Sequence, residues 1–194
     1  MHLIAKDQGL KTKDCNAMRF IKDILLFELE TTGGDVERDV VIQLAAVLLD
    51  KDNLLEKGLF NSYVRTSFLD DTLTRHGALL HVSLDILKKS SKTLDVVRSF
   101  VSQFSSEVQL GVQSPRNFIF LRNMFRKVNI PFEYDFHVLD IWTLQYMYVQ
   151  KLGLKKMPTL HTLMDTFKLK QKNPHNALER ARLQTEVLRK IISR

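Results

Sequence analysis

Residues 24–66 hold three apolar segments of strand length joined by short polar turns, and this pattern restricts the fold more than any other feature of the chain. Ile24-Leu25-Leu26-Phe27 has the character of a buried strand, and Thr31-Thr32-Gly33-Gly34 supplies the turn chemistry that ends it. Val40 to Leu49 reads as a second, mostly buried strand, Asp50-Lys51-Asp52-Asn53 as a polar turn, and Gly58 to Thr66 as a third strand. Three such strands in succession imply an antiparallel meander.

The period then changes. Leu94, Val97, Phe100, Val101 and Phe104 recur at helical spacing behind Thr93, which is expected to be the N-cap. Val108 to Val112 is a short strand, and Phe118, Leu121, Met124 and Phe125 mark the next helix. His137-Val138-Leu139 reads as a strand feeding a helix from Asp140 to Gln150, and Pro158 precedes a helix near Leu160 to Phe167. The last helix carries Ala177, Ala181, Val187, Leu188 and Ile191 on one side. The expected fold is therefore α/β: a mixed five-stranded sheet, the meander plus two strands, flanked by helices. No repeat or linker interrupts the pattern, so one domain is expected over residues 21–194 behind a loose tail at 1–20, with Met18 as an alternative start.

Composition narrows the class. With 44% hydrophobic and 26% charged residues the chain is an ordinary globular one, and its longest apolar run, Val40 to Leu49, is broken by Gln43, which excludes a membrane span there. The single cysteine, Cys15, excludes an internal disulfide and suits a reducing compartment. The first twenty residues resemble neither a signal nor a transit peptide, so a cytoplasmic location is the expectation. A net charge of +7 favours polyanionic partners, because phosphate contacts release condensed counterions.

The chemistry concentrates in Phe27-Glu28-Leu29-Glu30-Thr31-Thr32-Gly33. Residues two apart on a strand share a face, so Glu28 and Glu30 point the same way. Carboxylates that close repel each other unless a cation or a proton intervenes. Taken alone, such a pair is most often solvated on a strand face.

This segment, followed by Val41-Ile42-Gln43-Leu44-Ala45-Ala46-Val47, resembles the opening motif of the DEDDh 3′–5′ exonucleases, Asp-x-Glu-Thr-Thr-Gly followed by Ile-Ile-Gln-Ile-Ala. That family includes proofreading subunits and oligoribonucleases, and the resemblance implies its ribonuclease H-like fold from about Ile21 to the C-terminus. Arg75-His76-Gly77 resembles the family's His-Gly-Ile segment. The family's chemistry needs four carboxylates that hold two magnesium or manganese ions, and a histidine that acts as general base toward the attacking water.

Carried over residue by residue, the resemblance implies a broken site. Glu28 stands where the family has Asp, one methylene longer, and magnesium tolerates poor geometry badly. Glu30 matches the family's Glu. In the register Gly111-Val112-Gln113-Ser114-Pro115-Arg116-Asn117-Phe118-Ile119-Phe120-Leu121, Asn117 replaces the third carboxylate; another register would put Ile119 there. In His175-Asn176-Ala177-Leu178-Glu179-Arg180-Ala181, His175 matches the general base and Arg180 replaces the fourth carboxylate. A guanidinium does not bind a metal ion. Asn and Arg for two carboxylates shift the local charge by roughly three units toward neutral. Weak or absent metal binding at Glu28 and Glu30 is expected. Rescue by Glu179 requires a local shift, because one helical position turns it about 100° from Arg180, and Asp140 is a second candidate for compensation. Arg180 is further expected to take the place of a metal ion and pair with Glu28 or Glu30.

Basic groups are dense late in the chain, and Thr31, Thr32, Lys168, Lys170 and Lys172 are the candidate nucleic-acid contacts. Trp142 and Tyr146, at i and i+4, and Tyr148 are expected to pack rather than to form a stacking platform. Three functional expectations result. The first is a catalytically degenerate exonuclease-like domain that binds a single strand or a 3′ end. The second is a working 3′–5′ exonuclease with an altered site that prefers manganese. The third is a protein-interaction module of replication or repair machinery. The family resemblance also leaves room for a homodimer.

Overall fold

The computed structural model describes residues 20–65, 82–155, 157, 159–171 and 173–192. Strands β1 (Ile24–Thr31), β2 (Val41–Leu49), β3 (Glu56–Arg65), β4 (Ser91–Lys92), β5 (Gln109–Val112) and β6 (Leu139–Asp140) form one mixed sheet in the spatial order β4-β3-β2-β1-β5-β6. The meander is antiparallel, with Glu28 opposite Ala45 and Glu30 opposite Gln43, and a register shift follows Glu30. β5 runs parallel to β1, and β6 parallel to β5. The C-terminal ends of β1, β5 and β6 therefore share one edge of the sheet, the edge at which open sheets of this kind place their sites.

The described helices are α1 (Leu84–Lys89), α2 (Thr93–Gln103), α3 (Pro115–Lys127), α4 (Ile141–Lys151), α5 (Leu160–Phe167) and α6 (Ala177–Ile192). Alternation along β1 sorts them into two layers. Leu25, Phe27 and Leu29 face α2 and α3 in one core, where Phe60, Phe100, Phe104, Phe125 and Tyr134 meet edge to face. Burial of each such ring contributes about 1.5–3 kcal/mol. Ile24 and Leu26 face Ile141 of α4 and Ala181, Leu188 and Ile192 of α6 in the other core. Glu28 and Glu30 are in phase with Ile24 and Leu26, so they point to the α6 side.

The sheet has six strands rather than five. The sixth, β4, is a two-residue parallel pairing of Ser91 and Lys92 with Val64 and Arg65, too short to leave a periodic signal. It also moves the start of α2. Lys92, still bound in the sheet, occupies the N-cap position without a side-chain cap, and Thr93 is the first helical residue. At β6 the strand runs to Asp140, whose carboxylate accepts from the Trp142 N–H at 3.1 Å and the Thr143 hydroxyl at 2.6 Å, capping α4. Phe20 is attached to the fold: its N–H donates to the Lys51 carbonyl at 3.3 Å and its ring packs on the α6-side core. Residues 1–19, Arg75-His76-Gly77, Lys156, Pro158 and Lys172 lie outside the described residues. Among those described, no helix is long and apolar enough to cross a membrane.

Candidate functional site

Glu28 is 4% exposed at the C-terminal end of β1, an unusual place for a carboxylate and costly unless its oxygens are satisfied. Both are. Oε1 accepts from Gln184 Nε2 at 2.5 Å, and Oε2 accepts from Asn117 Nδ2 and from Arg180 Nε, each at 3.2 Å. Burial pushes the Glu28 carboxyl above its ordinary value of 4.5, while the Arg180 charge and the donors from Gln184, Arg180 and Asn117 pull the other way without cancelling it.

Arg180 reaches further. Its Nη1 donates to Glu30 and to the Pro174 carbonyl, the latter at 3.1 Å, and its Nη2 donates to the Leu29 carbonyl at 2.6 Å. The guanidinium thus lies across the end of β1, paired with both Glu28 and Glu30. A planar cation with five donors in a fixed fork suits two acids and two carbonyls arranged in this way.

The helix that carries Arg180 is fixed at its start. Asn176 Oδ1 accepts from the Glu179 N–H at 3.1 Å, as an N-cap side chain does. Gln43 Oε1, from the middle of β2, accepts from the Ala177 N–H at 3.0 Å, while Gln43 Nε2 donates to Asn61 at 2.9 Å. Ala177 and Ala181 are fully buried, and their small side chains let α6 lie close to the sheet. On the other side Ser114 caps α3 by accepting from the Arg116 N–H, and Pro115 opens the helix, which presents Asn117 to Glu28 from the first turn.

Of the two sequence registers, the structure has Asn117 at Glu28; Ile119 is half exposed and lines a separate hollow with Arg122 and Phe132. His175 is exposed beside the site, since the carbonyl of the preceding Pro174 bonds Arg180, and its own N–H donates to Asn173 Oδ1. Neither compensating acid joins the cluster. Asp140 is used in capping α4, and Glu179 lines a groove with Lys170, Arg182, Glu186 and Arg189 on another face of α6.

The candidate nucleic-acid contacts divide. Lys168 and Lys170 are exposed, with Lys168 ending α5 in a left-handed conformation, but Lys170 belongs to the groove beside Glu179 and Arg182 rather than to the Glu28 pocket. Thr31 and Thr32 are committed to their own turn. The Thr31 hydroxyl donates to the Gly33 carbonyl at 2.6 Å, and the buried Thr32 hydroxyl donates to Asp39 and accepts from the Val40 N–H. Gly33 is required there, because a Cβ would collide with the Asp39 carboxylate.

Three residues of the site escaped sequence reasoning. Gln184 lies one helical turn beyond Arg180, a spacing that puts both on one face; it is 1% exposed, and its Oε1 has no hydrogen-bond partner among the described residues. Gln43 was visible as an interruption of an apolar strand and as part of the family motif, but not as the acceptor that holds the start of α6. Arg116 is exposed, with its guanidinium directly over Gly34.

The family model described as Exonuclease (RNase T type) matches residues 25–188, and the chain belongs to this exonuclease family. Solved structures show the same fold. Cell-death related nuclease 4 superposes with a TM-score of 0.73 at 14% identity, over 88% of this chain and 64% of that one. The nuclease domain of 3′hExo, a DEDDh family member bound to rAMP, superposes at 0.67 and 14% identity, over 92% and 94%. E. coli exonuclease I in complex with a dT13 oligonucleotide superposes at 0.70 and 14% identity, over 88% of this chain and 41% of that one. A search of curated proteins gives no match.

Proposed function

We propose that this domain keeps the exonuclease fold but has lost the cleavage chemistry, and that it binds single-stranded or 3′-terminal nucleic acid without degrading it. The observation that carries the reading is Arg180, whose guanidinium bonds Glu28 and Glu30 together. Two-metal hydrolysis needs carboxylate oxygens turned toward the ions. Here the Glu28 oxygens already accept three side-chain donors, Asn117 offers its amide N–H rather than an acceptor, and a fixed positive charge stands against any divalent cation. The residues present do not fit two metal ions. Without an activated water His175 has no proton to accept.

Binding is supported by three features. The net charge is +7, exposed cations include Lys168, Lys170 and Arg116, and the similar proteins were solved with rAMP and with a dT13 strand. Phosphate contacts of this kind retain affinity when catalysis is gone.

The test is degradation of 3′-overhang and single-stranded oligonucleotides, DNA and RNA, with magnesium and then manganese. The expected result is no 3′ shortening. Shortening that both Glu30→Gln and His175→Ala abolish would establish a working nuclease with an altered site.

A further inference from the structure

The helix α4 carries an aromatic pair that the described residues cover only in part. Trp142 and Tyr146 stack on each other, with ring centroids 5.5 Å apart and planes 22° from parallel. They remain 37% and 40% exposed. Met147, the next residue, is also exposed, whereas Tyr148 turns inward and packs on Phe167. The expectation that these aromatics are packing residues therefore holds for Tyr148 alone. Stacking covers one face of each ring, and the rest of both side chains stays partly exposed.

The position of the pair gives it a use. α4 begins immediately after Asp140, and Asp140 pairs with Val112 at the C-terminal end of β5. The helix is tied there by a reciprocal amide pair, Gln113 Nε2 to Gln145 Oε1 at 2.8 Å and Gln145 Nε2 to Gln113 Oε1 at 3.0 Å. Gln113 in turn precedes Ser114, the cap of the helix that presents Asn117 to Glu28. Ile141 packs with Ala181 of α6, on the face of the sheet to which Glu28 and Glu30 point. α4 thus starts at the edge, and packs on the face, that carry the site. Lys151 is the last residue of the same helix, and Lys155 follows beyond the turn that ends it; both are exposed.

We infer that Trp142 and Tyr146 form a stacking platform for the bases of a single-stranded nucleic acid that approaches the former active site. This rests on the reading of the domain as a nucleic-acid binder and adds where the bases go. Every base has a π-face, so a partly exposed ring stack accepts bases regardless of sequence, and the lysines at the far end of α4 attract the phosphates. The pairing of aromatic faces with positive charge favours a polyanion carrying rings over an uncharged protein surface.

Trp142 is the only tryptophan in the chain, so its fluorescence reports on the platform directly. The experiment titrates the protein with a twelve-residue oligothymidylate and oligouridylate, and separately with inorganic polyphosphate, following tryptophan emission and the anisotropy of an end-labelled strand. Saturable quenching by the oligonucleotides and not by polyphosphate is expected. Trp142→Ala and Tyr146→Ala each weaken binding roughly 5- to 100-fold, and Trp142→Phe weakens it less. Strand binding with unchanged emission and unchanged affinity in both alanine variants would refute the platform while leaving the binding reading intact. Absence of strand binding even at low salt would refute the binding reading, and the platform with it. Emission that shifts to the blue with protein concentration alone would reassign the aromatic pair to a contact between copies of the chain.

Discussion

Arg180 and Glu28 depend on each other unequally. Removing a buried carboxylate together with its charge relieves a desolvation cost, whereas removing only the cation leaves that cost uncompensated. Arg180→Ala is therefore expected to destabilise the fold by about 3 kcal/mol in denaturant titrations. Its effect depends on pH. Glu28 has a folded-state value above its ordinary 4.5, so the folded state holds that proton more tightly than the unfolded chain. Stability linked to the protonated form is present below about pH 4.5 and is lost as pH rises through the raised value. Without Arg180 the value rises further, and the deficit of the variant relative to wild type is expected to widen as pH rises above about 4.5. A constant deficit over that range would contradict the ion-pair account. Glu28→Gln is expected to cost less, under about 1.5 kcal/mol, because a rotated Gln184 amide can turn its partnerless Oε1 toward the new amide N–H.

The elements of the site are coupled through side chains that ordinary patterning hides. Gln43 joins β2 to the start of α6, and Gln113 with Gln145 joins β5 to α4. Gln43→Leu leaves the Ala177 N–H and Asn61 without their partner, and it is expected to lower stability by about 2 kcal/mol in thermal or chemical melts. A loss below a few tenths would mean that Gln43 does not hold α6. The sequence showed the three-stranded meander and the helices α2 to α6 because their apolar periods are strong, but not the six-residue α1, and the family resemblance singled out Glu28, Glu30, Asn117 and Arg180. It could not show β4, a two-residue pairing, or that Gln184 lies against Glu28, because a glutamine on a helix has the same local signature whether it faces water or a carboxylate. Trp142 and Tyr146 at i and i+4 signalled a shared helix face, but whether that face was covered depended on what packs around α4.

At the scale of the whole molecule, an exonuclease fold joins a net charge of +7 to a pocket whose two acids share the single cation of Arg180. In the reading proposed above, affinity and cleavage are separable properties, the first assigned to exposed cations and rings, the second to the pocket that Asn117 and Arg180 occupy. Single-strand affinity is expected to fall by about tenfold or more between 50 and 200 mM salt, measured by anisotropy, and to be the same in EDTA as in magnesium. A dependence of binding on the divalent ion would point to metal in the Glu28 pocket.

The most direct measurement is a calorimetric titration of the protein with manganese, beside Glu30→Gln and the double variant Asn117→Asp/Arg180→Asp. No saturable manganese site that Glu30→Gln removes is expected in the wild type, and one is expected to appear when the two carboxylates are put back. Saturable binding by the wild type that Glu30→Gln abolishes would show that Arg180 yields its place to a metal ion, and would contradict the claim that the cleavage site is closed.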